Sequence, residues 1–162
     1  MTLSKDRLHE LYEYKDGNFH RKFSARGVHA GVISNYKIDS GYHKIMVEGK
    51  RYFLHRLVFL YHHGYIPKVI DHINGDKCDN RIENLREVTN SQNRMNTGIT
   101  KANKSGVKNV FWFKPTECWK VQVKHAAGVF TKYIKDLELA ELVAYEARNR
   151  FHGKFANHGV RT

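Results

Sequence analysis

Cysteine is scarce in this 162-residue chain, with only Cys78 and Cys118, far apart in sequence. Two isolated thiols cannot build a four-thiolate zinc site, and reduced thiols in a cytosolic setting are the plain reading. Long apolar runs are missing, which excludes a helical membrane span. The first residues, MTLSKDRLHELYEYKDG, hold no apolar stretch of the kind a secretory leader needs. Internal repeats and low-complexity tracts are absent as well. Acidic residues are also short in supply: 16 Asp and Glu face 28 Lys and Arg, a formal charge of +12. Lys and Arg are in excess on both sides of residue 97. A basic chain without an amphipathic membrane helix meets a polyanion, and nucleic acid is the leading candidate. A basic surface kept for solubility is the plainer alternative.

Hydrophobic residues make up 41%, including nine Phe and nine Tyr, enough for a core. The length suits one ordinary domain or two small ones. Residues 10 to 52 read as short strands and glycine-punctuated turns. Within them GYHKIMVEGKRYF reads as a hairpin turning at Glu48-Gly49. Leu54, Leu57, Val58 and Tyr61 then fall at helical spacing, with Gly64 placed to stop the helix. A strand is expected from Lys68, carrying Asp71 and His72 among Val69, Ile70 and Ile73. The loop Asn74 to Asn84 is rich in side chains that bond their own backbone. Leu85 to Val88 reads as a second short strand. Thr89-Asn90-Ser91-Gln92 fits a capping box opening a helix that holds Asn93.

This strand, loop, strand, helix unit has the ingredients of a metal-assisted hydrolase. Asp71 and Asn93 could supply hard oxygens to one divalent cation such as Mg²⁺. Strand alternation points His72 to the face opposite Asp71. A neutral imidazole suits a general base. Asn84 could hold the loop or orient that imidazole. Each residue alone also reads as a strand-end pair, a turn or a cap; His55, His62 and His63 read as structural or solvent-facing.

The combination Asp71-His72, Asn84 and Asn93, with HRLVFLYHHG before it and DHINGDKCDNRIENLR around it, resembles the HNH nucleases of the His-Me finger (ββα-metal) superfamily, most closely phage and intron-associated homing endonucleases. The resemblance covers roughly residues 40 to 97. It implies His72 as general base, Asn84 as a positioning residue of the catalytic set, and Asp71 and Asn93 as ligands of one divalent ion, Mg²⁺ or Mn²⁺. Many relatives carry histidine where this chain has Asn93. The paired Cys-x-x-Cys zinc ribbons of some relatives are missing, so no structural zinc is expected.

After a small, polar, basic stretch, TGITKANKSG, three strand-like runs follow, VKNVFWFK, CWKVQVKH and GVFTKYI. The last run, DLELAELVAYEARNRFHG, reads as an amphipathic helix with Asp136 as N-cap and Ala140, Val143, Ala144, Ala147 and Phe151 on one face. Trp119, Val121 and Val123 should pack on it, leaving Lys120, Gln122 and Lys124 free to meet DNA. Residues 105 to 156 resemble the APETALA/ethylene-response-factor type of DNA-binding domain, through SGVKNVFW, WKVQV and a helix ending RFHGKFA. That resemblance places Lys108, Trp112, Gln122 and Lys124 on DNA, with Lys114, Lys120 and Lys132 as weaker contacts. A sheet-on-helix domain with core tryptophans and solvated lysines is the alternative.

The expected fold is α+β: a ββα-metal (HNH) nuclease domain over residues 1–97 with a β-rich N-terminal region, a linker at 98–105, and a small three-stranded antiparallel sheet packed on one helix at 106–162. The expected function is metal-dependent, site-selective cleavage of double-stranded DNA by a phage- or mobile-element-encoded monomer or homodimer, in the host cytoplasm and away from any membrane. The rival is a sequence-specific DNA-binding protein whose nuclease unit is silent. RNA binding has less support, because the aromatic pattern of RNA-recognition sheets is missing.

Overall fold

The computed structural model describes residues 3–24, 27, 29–31 and 33–159. Residues 25, 26, 28 and 32, within the stretch expected to form strands and turns, lie outside the described residues. The chain is α+β, with small antiparallel sheets, and divides into two compact units, Met1–Thr89 and Asn90–Thr162.

The first unit opens with helix α1 (Lys5–Leu11), where Ser4 accepts the Arg7 N–H as N-cap and Leu8 is fully buried. The sequence reading did not anticipate this helix. Strands β1 (Tyr12–Lys15) and β2 (Asn18–Arg21) form a hairpin around Asp16-Gly17. Strands β3 (Asn35–Lys37), β4 (His43–Val47) and β5 (Lys50–Phe53) form an antiparallel sheet in that order. The β4–β5 turn is at Glu48-Gly49, as expected, with φ of 48° and 78°. Helix α2 (Leu54–His63) follows directly and ends at Gly64 in the left-handed region. Its Leu54, Leu57 and Val58 pack with Leu8, Tyr12, Phe19, Ile45, Val47 and Leu85 into one core. Each such side chain contributes about 1.5–3 kcal/mol through burial.

Strand β6 (Ile70–His72) starts two residues later than expected and pairs antiparallel with β7 (Leu85–Glu87). The register sets Asp71 opposite Arg86 and His72 opposite Leu85. A 3-10 turn at Ile82–Asn84 feeds β7. Its first N–H, on Ile82, donates to the Tyr14 hydroxyl at 3.0 Å.

The second unit begins with helix α3 (Asn90–Met95). Residues 98–105 hold neither helix nor strand. Within them Asn103 donates to the Val107 carbonyl at 2.9 Å and Ser105 to the Val110 carbonyl at 2.7 Å. Strands β8 (Val110–Phe113), β9 (Cys118–His125) and β10 (Gly128–Ile134) form a sheet with β9 central, and helix α4 (Leu137–His152) packs on it. Asp136 caps α4 by accepting the Leu139 N–H at 2.7 Å. Ala140, Ala144 and Ala147 bring the helix close to Val110, Val121 and Val123.

Gly17 shows how β1–β2 supports the loop before β7. Its φ is +80°, and a Cβ there would meet the Arg81 nitrogen at 2.9 Å and the Asn80 carbonyl carbon at 3.0 Å. Gly17→Ala should therefore destabilise the protein by about 2 kcal/mol or more, combining left-handed strain with a backbone clash. Urea denaturation checks this. A loss no larger than that of Gly49→Ala, where a Cβ meets nothing, would contradict it.

Candidate active site

Alternation along β6 turns Asp71 and His72 to opposite faces. On its face, the Asp71 Oδ2 receives Arg86 Nε at 2.9 Å and the terminal guanidinium nitrogen at 2.7 Å. Asp71 is only 6% exposed, so this pair is shielded from water. Removing one partner of a shielded pair typically costs about 3–5 kcal/mol.

His72, 5% exposed, lies against Asn80, itself 2% exposed. The Asn80 Nδ2 donates to the Cys78 carbonyl at 2.9 Å, and a carbonyl only accepts. That orients the amide and turns Oδ1 toward His72 Nε2, 3.3 Å away. Nε2 must therefore be the donor. In a neutral ring the basic lone pair then belongs to Nδ1. The same Nδ2 lies 3.3 Å from His43 Nδ1.

Rings bracket the imidazole. His55, in the first turn of α2, meets His72 edge-on with centroids 5.3 Å apart, and Tyr42 lies 6.0 Å from it. Burial lowers the His72 pKa, opposed by the Asn80 hydrogen bond and then by Asp71, Asp76 and Asp79.

The asparagine-rich loop is self-bonded. Asn84 Oδ1 accepts the Asn74 N–H at 3.0 Å, while Nδ2 donates to Asn74 Oδ1 and to the Asp79 carbonyl. Of the duties open to Asn84, the observed bonds serve the loop, and Asn80 holds the imidazole. Two residues of the site were thus missed from sequence. Arg86 was readable once the strands were set in register opposite Asp71. Asn80 carried no signal beyond its place in a loop of backbone-bonding side chains.

Asn93 is exposed, in the middle of α3. The other expected contacts lie on the second unit. Phe111, Lys120, Gln122 and Lys124 share the sheet face turned away from α4, by the β8–β9 register. Trp112 does not share it, which corrects the expectation. It pairs with Trp119 on the helix side, ring centroids 5.0 Å apart, because strand alternation places it with Val110 and Val121. It is half exposed there, at the rim of the core. Phe111, 47% exposed, occupies the open face in its place. Lys114 is in the 3-10 turn after β8, and Lys132 is exposed on β10. Lys108 is half-buried rather than displayed, its Nζ donating to the Met95 carbonyl at 2.8 Å.

A family profile described as HNH endonuclease matches residues 52–95. Protein 3.8 of Escherichia phage T7 is 37% identical over 97 residues, spanning 57% of this chain and 78% of that protein. Residues 52–95 form an HNH endonuclease domain, and the chain is a homologue of that phage protein. No solved structure matches the chain. The HNH match runs from β5 through α2, β6 and β7 to the last residue of α3. It contains Asp71, His72, Asn84 and Asn93, and also Asn80 and Arg86. Among the described residues no three His, Cys, Asp or Glu gather into a metal-holding group.

His55 makes part of this HNH unit acid-sensitive. Burial first, then the neighbouring His72 and Arg56, lowers its pKa to about 3. An unfolded imidazole titrates near pH ~6.5. Between these values the unfolded chain binds a proton that the folded chain does not. Stability from His55 is thus complete above pH ~6.5 and is lost as pH falls toward 3, at about 1.4 kcal/mol per pH unit. Urea midpoints measured from neutral to acid pH should fall, and His55→Leu should flatten the fall. Equal slopes for the two proteins would contradict this.

Proposed function

We propose that the protein is a metal-dependent, site-selective DNA endonuclease that hydrolyses phosphodiester bonds, of the phage or mobile-element HNH homing type. The observation that carries this reading is the held imidazole: Asn80 takes the Nε2 proton, leaving His72 Nδ1 as the base, one residue from a shielded carboxylate. Nδ1 takes a proton from water, and the water oxygen attacks phosphorus in line. The bond from phosphorus to the 3′ oxygen breaks, giving a 5′-phosphate and, after proton uptake from solvent, a 3′-hydroxyl. Only 5% of His72 is accessible, so the residue reaches substrate over a small area.

Asp71 and Asn93 offer a carboxylate and an amide oxygen, hard donors that suit Mg²⁺ or Mn²⁺. When bound there, one such ion supplies charge stabilisation at the phosphate and the leaving oxygen. Arg86 holds one Asp71 oxygen and so aims the carboxylate. Asn84 keeps the loop before β7 in shape.

In this reading residues 1–97 are the nuclease domain, 98–105 the linker, and 106–162 a DNA-binding domain of the APETALA/ethylene-response-factor kind. The supporting features are the three-stranded sheet on one helix and the basic, polar open face with Lys120, Gln122 and Lys124. Lys114, on the adjoining turn, adds a phosphate contact, and Lys108 serves from a half-buried position. A monomer nicks duplex DNA and a dimer cuts both strands. Likeness to a protein of Escherichia phage T7 supports a phage origin and action in the bacterial cytoplasm. No helix among the described residues is long and apolar enough to cross a membrane.

One observation favours the rival reading of a DNA-binding protein with a silent nuclease unit. One of the two Asp71 oxygens is already paired with Arg86, which leaves less charge to offer a metal. Incubating supercoiled phage or plasmid DNA with Mg²⁺ or Mn²⁺, with EDTA as blank, separates the two. The nuclease reading predicts nicked circles, with losses of about 100-fold or more in His72→Ala and about 10–100-fold in Asn80→Ala. Tight, salt-dependent binding without cleavage in any divalent ion would favour the rival.

A further inference from the structure

In the second unit, α3, the start of β8, β9 and the end of α4 enclose a groove of about 470 Å³, within the range of small-molecule sites. Its lining includes Arg94, Lys108, Lys124 and His125 and no carboxylate. Lys108 sits half-buried in it, its pKa lowered to about 8 by burial and then by Arg148. Its ammonium has three donors, and the Met95 carbonyl takes one. A half-buried cation with a donor to spare is matched by an anion.

Two residues that line the groove carry buried acceptors in need of donors. His152, 8% exposed, must donate from Nε2 to the Lys124 carbonyl at 2.8 Å, so its Nδ1 is a lone pair. Asn109 donates from Nδ2 to the Gln122 carbonyl at 2.9 Å, which leaves Oδ1 as acceptor. Both atoms are buried without a hydrogen-bond partner among the described residues. An unpaired buried acceptor is costly. A simple anion leaves both unmatched. A ligand that joins an anion to an N–H group and an aromatic plane matches the whole groove, because Phe111 offers an exposed ring at its lip.

We propose that this groove binds one nucleotide of a DNA strand, with its phosphate on Arg94, Lys108 and Lys124, its base against Phe111, and the base amino group toward Asn109 and His152. The site rests on the DNA reading above and gives it a base preference: the exocyclic amino group of adenine, cytosine or guanine has two N–H bonds for the two acceptors, whereas thymine has only its single N3–H.

The test uses the full-length His72→Ala protein in EDTA, so that cleavage plays no part, and fluorescence anisotropy with labelled oligo(dC) and oligo(dT). Oligo(dC) should bind about fivefold more tightly than oligo(dT). Lys124→Met, Phe111→Ala and Lys108→Met should each weaken oligo(dC) binding about tenfold, and Lys135→Met, an exposed lysine outside the groove, less than about twofold. Lys124 and Phe111 are exposed, so their replacement leaves the core intact if Lys108→Met misfolds. Equal affinity for the two oligonucleotides, no binding to either, or groove variants no weaker than Lys135→Met would overturn the proposal. A protein that shows the predicted pattern yet never cleaves plasmid keeps the groove and loses the nuclease reading.

Discussion

One carboxamide, that of Asn80, decides which chemistry His72 can perform. An imidazole free to rotate presents either nitrogen, protonated or not. Here the Cys78 carbonyl fixes the amide, and the amide fixes the ring proton on Nε2. The amide is itself held from several directions. The Cys78 thiol donates to the Gly41 carbonyl, Tyr14 accepts the Ile82 N–H, and Gly17 lies against the backbone of Asn80 and Arg81. Segments distant in sequence thus converge on a loop that a local reading sees only as turn-forming. The β1–β2 hairpin and the chain before β4 both touch the loop that carries that amide.

The second constraint is charge shielded from water. Asp71 and Arg86 face each other across a two-stranded ladder so short that its register decides the pairing. A shift by one residue would send Asp71 toward the His72 face and leave two unpaired charges with little access to water. The ladder therefore carries specificity out of proportion to its length. In the second unit the cost of a shielded cation recurs at Arg148, whose side chain is nearly inaccessible and donates to the Lys108 carbonyl at 2.6 Å. That bond fixes the residues leading into β8, and with them the lysine that faces the groove.

Much of the architecture was readable from the residues. Glu48-Gly49, Gly64 and Asp136 act as turn, stop and cap because each role depends on local backbone chemistry. The Val110, Val121, Val123 and Ala140, Ala144, Ala147 sets follow from periods of two and near four. What escaped depends on partners remote in sequence. Helix α1 is short and secured by Leu8 entering the core, which no local pattern demands. Trp112 was placed on DNA by the resemblance, and only the pairing of β8 with β9 tells which face of the sheet it lies on. Lys108 looked like a surface cation until the Met95 carbonyl claimed its ammonium. In the segment that the HNH profile matches, Asp71, His72, Asn84 and Asn93 stood out as a spaced set. Asn80 and Arg86 did not, because their roles arise from register and loop closure.

The tautomer of His72 tests the central claim most directly. Nitrogen-15 chemical shifts of the His72 ring in the metal-free protein, recorded near neutral pH, distinguish the proton-bearing nitrogen from the bare one. The account predicts a neutral ring with its proton on Nε2 and the ring's basic lone pair on Nδ1. A proton resident on Nδ1, or a ring exchanging evenly between the two forms, would contradict it.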